Sequence, residues 1–130
     1  MIIGIPTEIL EREHRVAALP EEVAAYVQMG FEVLVQSGAG EGALHPDAEY
    51  AAAGATIVPG AQDVFSRADV VLKVKQPHFN ASLGRHEAEM IREGATLITF
   101  LHPAAPANHD IIRTLRDRGI TSLTMDSIPR

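Results

Sequence analysis

The sequence predicts an α/β domain, a doubly wound, mostly parallel sheet of about six strands with helices on both faces. Three observations carry this. Short runs rich in Val, Ile and Leu alternate with segments of helical composition along the whole chain, the pattern of successive strand-helix-strand units joined by right-handed crossovers. The strongest run, Asp69-Val-Val-Leu-Lys-Val-Lys75, starts as unbroken apolar sequence, which suits a strand covered on both faces. Glycines at 30, 54, 94 and 119 close the intervening segments, where a left-handed residue ends a helix at little steric cost.

Each element follows from its residues. Residues 2–5 are apolar and end at Pro6, giving the first strand. Residues 6–19 form a polar connection, long beside the roughly 2–6 residues usual in α/β units and therefore a candidate for function. Pro20, Glu21 and Glu22 start a helix, with proline in its first turn and acids at the positive end of its dipole. It runs to Met29. The second strand is 31–36, a short helix covers 47–53, the third strand is 56–58, and a helix covers 61–67. Residues 70–74 form the fourth strand, which finishes near Gln76 because Pro77 cannot donate to a ladder. Lys75 is thereby delivered to the carboxyl end, and strict alternation places Lys73 and Lys75 on one face. Residues 78–92 lean towards helix despite Gly84. The fifth strand, 96–101, delivers His102. Asn108 caps a helix over 109–118 whose Ile111, Ile112 and Leu115 share a face. The sixth strand is 120–125.

Composition narrows the function. The chain has 130 residues, 46% of them apolar, which is one ordinary globular domain. Its net charge is −6 with no basic run, so the electrostatic footprint of a nucleic-acid or polybasic membrane surface is missing. Zero cysteines remove disulfides, thiolate metal sites and a cysteine nucleophile. No signal peptide or apolar run of about 20 residues is visible, and the expected location is cytoplasmic.

Ser37-Gly-Ala-Gly-Glu-Gly-Ala43 matches Gly-x-Gly-x-x-Ala, so a dinucleotide fingerprint has to be weighed. The fingerprint needs a helix opening at the last glycines, with its amides on the pyrophosphate. Here Leu44-His45-Pro46 intervenes, and Pro46-Asp47 is the better helix start. No acid ends the third strand, which runs into Pro59-Gly60. The stretch reads better as a glycine-rich turn beside a cleft.

Three basic residues fall where one site could gather them: Arg15 in the long first loop, Lys75 after the fourth strand and His102 after the fifth. Ligands of open α/β sheets bind beyond the carboxyl ends of the strands. Arg offers a bidentate fork for a carboxylate, Lys polarises a carbonyl, and His moves protons near neutral pH. Together they describe a site for a small 2-oxo or 2-amino acid. Ser37 has no paired base. His45, His78, His86 and His109 lack the spacing of a metal pair, and no metal site is expected.

Ile3-Gly-Ile-Pro-Thr-Glu8, Arg15-Val-Ala17, Ser37 to Gly42, Ala52-Ala-Gly-Ala55, Leu72-Lys-Val-Lys75, Thr99-Phe-Leu-His102 and Met125-Asp-Ser-Ile-Pro-Arg130 make the whole chain resemble the N-terminal domain of the alanine dehydrogenase and NAD(P) transhydrogenase alpha-subunit family. The resemblance implies a Rossmann-like, or flavodoxin-like, sheet that is not itself the nucleotide-binding one. It also implies that residues 1–130 are a substrate-side domain, facing an NAD-binding domain across a cleft. That partner domain, and a C-terminal helical return completing the first domain, are expected outside these residues. NAD(H) or NADP(H) would then serve the complete enzyme without binding tightly to this chain, and the chain alone would not catalyse. By matched position, Arg15 and Lys75 would hold substrate carboxylate and carbonyl, and His102 would act as acid and base, as in alanine dehydrogenases. The ending is similar to transhydrogenase alpha subunits, many of which lack the histidine. Transhydrogenase alpha is the leading expectation, alanine dehydrogenase the second, and a stand-alone binding or assembly module the third. Expected partners are the nucleotide-binding half and further copies of the chain, with a membrane reached only through a transhydrogenase partner subunit.

Overall fold

The computed structural model describes residues 1–128, so Pro129 and Arg130 of the terminal stretch lie outside the described residues. Six strands build one sheet: β1 (Ile2–Ile5), β2 (Glu32–Gln36), β3 (Thr56–Val58), β4 (Val70–Lys75), β7 (Thr96–Phe100) and β8 (Thr121–Thr124). Two short strands, β5 (Phe79–Asn80) and β6 (Arg85–His86), form a separate antiparallel hairpin. The helices are α1 (Pro20–Gln28), α2 (Asp47–Ala52), α3 (Ala61–Arg67), α4 (Glu87–Met90) and α5 (His109–Asp117). Strand order is β3-β2-β1-β4-β7-β8, and every pair is parallel. With the hairpin set aside this is the Rossmann order 3-2-1-4-5-6, not the flavodoxin order 2-1-3-4-5. The order reverses between β1 and β4, which makes that pair the topological switch point.

Each face has its own core. Ile3, Ile5, Val33 and Val35 pack with Val23 of α1 and Tyr50 of α2. Val71 and Leu97 pack on the other side with Phe65 of α3, Ala88 and Met90 of α4, and Leu115 of α5. Gly4 is what lets α3 lie close on β1, since a Cβ there would stand 2.7 Å from both Ala68 Cβ and Val64 Cγ1. Coverage of the first face is incomplete. A groove of about 230 Å³ runs between Tyr26 of α1 and the strand residues Leu72, Ile98 and Phe100, and Leu123 of β8 is 52% exposed.

Two expectations need correction. Residues 78–92 are not mainly helical. They fold as the β5–β6 hairpin and the single turn α4, because Gly84 sits at φ +65, turning the chain back, and the polar segment has no apolar stripe to support a longer helix. Nor do Lys73 and Lys75 share a face. Leu72 pairs with Ile98 and Lys75 with Phe100, so a step of three in β4 faces a step of two in β7. That extra residue is a β-bulge, which reverses the alternation. Lys75 leaves the sheet on the side of Phe100, whereas Lys73 turns into the opposite core.

Candidate functional site

The site is built where β4 and β7 end. Arg15, Val74, Lys75, Phe100 and His102 line one cavity of about 160 Å³, and a second hollow adjoins it, formed by residues 10–15 and Lys75. The three basic residues picked from the sequence are thus brought together, one from the long loop after β1 and two from strand ends. The smaller hollow lies below the roughly 300–1,000 Å³ of drug-sized pockets. It suits a molecule of a few heavy atoms.

Each basic group is held by a neighbour. Arg15 donates from Nε to Glu13 Oε2 (3.0 Å) and from Nη2 to Glu13 Oε1 (2.6 Å), a fork-to-carboxylate pair that leaves the Nη1 edge free of Glu13. This bond to Arg15 holds the Glu13 carboxyl well below its usual range, at about 2. His102 places Nδ1 2.8 Å from Asp126 Oδ1, and its backbone N–H donates to Asp126 Oδ2 at 2.7 Å. The Thr124 hydroxyl also donates to Asp126, and this bond is the main reason the Asp126 carboxyl lies below its ordinary value. His102 itself sits at φ +51, a left-handed conformation that a non-glycine residue holds only when its surroundings fix it. Those surroundings are Asp126 on its N–H and Asn108 Nδ2, which donates to its carbonyl at 3.1 Å.

Beneath the site lies a buried charged cluster. The side chains of Glu8, Lys73 and Glu87 are each 1% exposed, with Lys73 Nζ 3.1 Å from Glu8 Oε1 and 3.4 Å from Glu87 Oε2. Burial pushes the Glu87 carboxyl up, against the opposing pull of Lys73. Glu8 also accepts the N–H groups of Val74 (2.9 Å) and Lys75 (3.0 Å). Its carboxylate therefore stands at the switch point between β1 and β4, where a Rossmann domain would admit a pyrophosphate.

The glycine loop has other duties. Ser37 Oγ donates to Asp47 Oδ2 (2.6 Å) and Gly38 N–H to Asp47 Oδ1 (2.9 Å). The amides of Ala39, Glu41 and Ala43 donate to carbonyls within the loop or just before it. A Cβ on Gly40 would stand 2.4 Å from Tyr50 Cε2, and one on Gly42 2.9 Å from the His14 carbonyl. These glycines serve close packing, and α2 opens only at Asp47. Four of the loop's amides, those of residues 38, 39, 41 and 43, are therefore already engaged, and the switch point is occupied by the Glu8 carboxylate. Sequence reasoning assigned no role to Glu8, Glu13 or Asp126. The available signals were an acid two residues before Arg15 and an acid just past β8, beside the end of β7. Among the described residues no group of three His, Asp or Glu gathers as a metal site, and no helix is long and apolar enough to cross a membrane.

Known proteins share this fold. The family model described as "Alanine dehydrogenase/PNT, N-terminal domain" matches residues 4–130. Alanine dehydrogenase of Mycobacterium tuberculosis is 44% identical over 128 residues, 98% of this chain and 32% of that protein. NAD(P) transhydrogenase subunit alpha of Cereibacter sphaeroides is 39% identical over 130 residues, 100% of this chain and 23% of that protein. The crystal structure of transhydrogenase from Sinorhizobium meliloti superposes with a TM-score of 0.86 at 35% identity, covering 100% of this chain and 35% of that one. The chain spans about a third or less of the curated relatives it matches. With residues 4–130 matched by that model, the chain belongs to the alanine dehydrogenase/PNT N-terminal domain family.

Proposed function

We propose that residues 1–130 form the substrate-side domain of an NAD(P)-dependent hydride-transfer enzyme, working across a cleft from a separate nucleotide-binding domain. The observation that carries this is the cavity shared by Arg15, Lys75 and His102 at the carboxyl ends of β4 and β7. The Glu8 side chain filling the switch point and the engaged amides of residues 38, 39, 41 and 43 support assigning the dinucleotide to the other half. The half-covered face along Leu72, Ile98 and Phe100 is where a segment from beyond these residues would pack. In the whole enzyme we assign the leading role to an NAD(P) transhydrogenase alpha subunit, because the whole length of the chain is matched by such subunits. The assembly would be a homo-oligomer on the cytoplasmic side, meeting the membrane only through its partner subunit.

A specific observation favours the second reading, oxidative deamination of L-alanine to pyruvate. Asp126 holds the Nδ1 side of His102, which fixes the ring and leaves Nε2 to exchange a proton with substrate or water. Lys75 would hold the carbonyl oxygen, and the free edge of Arg15 the carboxylate. Hydride transfer between two nicotinamides needs no such acid. The test is His102→Ala in the full-length protein, assayed for both reactions. Under the transhydrogenase reading nicotinamide-to-nicotinamide transfer stays nearly unchanged. Under the dehydrogenase reading alanine oxidation falls by about 10²–10⁴-fold, the usual worth of a positioned acid or base. A full-length protein with neither activity rejects both, and leaves the third expectation, a binding or assembly module.

A further inference from the structure

We infer that Glu8 is a positioning residue: its carboxylate, held by Lys73, replaces a missing strand partner for β4 and so fixes the bulge that turns Lys75 into the site. The significance of that turn rests on the proposed role of Lys75, but the turn itself does not.

The sheet has a gap beside β4. The ladder between β1 and β4 ends at Gly4 and Val71, so on that side the last four residues of β4 have no paired residue in β1. Unpaired N–H groups in a buried strand cost about as much as lost hydrogen bonds. Glu8 supplies the acceptors, Oε2 to the N–H of Val74 and Oε1 to the N–H of Lys75. On the other side the Thr99 hydroxyl donates to the Lys75 carbonyl at 2.9 Å. Lys75 is thus fixed through its own backbone from both neighbours, immediately after the bulge. Bulges of this kind redirect a side chain. Without the extra residue Lys75 would follow Lys73 into the opposite core and away from Arg15 and His102.

A buried carboxylate needs a counter-charge, and Lys73 provides it at 3.1 Å. Lys73 in turn reaches Glu87, whose Oε1 accepts the His78 N–H at 2.9 Å while its own N–H donates to the His78 carbonyl. The cluster therefore ties three segments together behind the site: the loop that carries Arg15, the strand that carries Lys75, and the approach to the β5–β6 hairpin.

The 130-residue chain, labelled with ¹³C and ¹⁵N, tests this with no substrate present. The expected result is scalar coupling across both hydrogen bonds, from the amide nitrogens of Val74 and Lys75 to Cδ of Glu8, together with nuclear Overhauser contacts between the Lys75 side chain and the Phe100 ring. Absence of those couplings, in a sample whose β1–β2 hydrogen bonds do give them, overturns the inference. In Glu8→Gln the same two amides should exchange about tenfold faster or more, the scale of losing a charge-assisted hydrogen bond. The Lys75–Phe100 contacts should weaken, while β2 keeps its protection. A folded Glu8→Gln with unchanged exchange and contacts also overturns it. Because that variant leaves the buried Lys73 ammonium with Glu87 as its one carboxylate partner among the described residues, Glu8→Gln/Lys73→Met is the substitute where the single variant fails to fold, and the coupling measurement decides where neither folds. None of these readouts involves substrate or turnover, so their failure is distinguishable from failure of the proposed reaction.

Discussion

Arg15 and Glu87 show how far the setting of one side chain governs its chemistry. Arg15 meets Glu13 through two nitrogens of a planar fork, and a lysine, as a point charge, cannot reproduce that geometry while also offering an edge to a second carboxylate. If the proposed reading holds, Arg15→Lys in an enzyme that joins this domain to a nucleotide-binding half should raise the KM for a 2-oxo or 2-amino acid more than it lowers kcat, and an unchanged KM would remove Arg15 from the proposed site. Glu87 makes a prediction about pH. Burial raises its carboxyl above the ordinary 4.5, so the folded state holds that proton more tightly than the unfolded chain does. Its contribution to stability is complete below about pH 4.5 and is lost as the pH climbs through the raised value. Urea midpoints measured from acid to neutral pH should therefore fall for the natural chain relative to Glu87→Gln, and parallel curves would contradict the assignment. Glu13 works in the opposite sense. Its carboxyl drops from 4.5 to about 2 beside Arg15, so its contribution is present above pH 4.5 and is lost as the pH falls towards about 2. Glu13→Gln should flatten that acid limb only.

Among the elements, β1 and the glycine loop owe their packing to missing side chains. α3 lies on β1 only because Gly4 has no Cβ, and the contacts it would meet are a neighbouring methyl and a valine branch. Neither can swing away in a packed core. Gly4→Ala should destabilise by about 1–3 kcal/mol, the usual range for overpacking. Gly40→Ala should do at least as much, since its Cβ would meet the Tyr50 ring and the His45 carbonyl together. Urea unfolding measures both, and a loss under about 0.5 kcal/mol, the range of a neutral surface change, would mean that these elements shift more freely than their packing indicates.

For the molecule as a whole, the question is what the sheet leaves undone. It has the Rossmann order, yet its switch point carries the Glu8 carboxylate. Titration calorimetry of the 130-residue chain with NADH should show no micromolar binding, and a dissociation constant near that level, about −8 kcal/mol, would put the dinucleotide on this domain after all.

The α/β alternation, the positions of all six sheet strands within a residue or two, and the three basic residues that line one cavity were legible in the amino-acid order alone. Local signals suffice there, because apolar runs, prolines and closing glycines act within a few residues, and ligands of such sheets gather at strand ends. The family motifs also lay in plain sequence. How those residues are held emerged only in the folded chain. The hairpin at 79–86 replaced a helix because its turn depends on one backbone angle at Gly84. The bulge in β4 exists only in relation to β7, so no reading of β4 alone could separate Lys73 from Lys75. Glu8 and Lys73 are 65 residues apart, and His102 and Asp126 are 24 apart. Contacts at such separations arise from the crossing of strands and loops in space, and the chain carries no local mark of them.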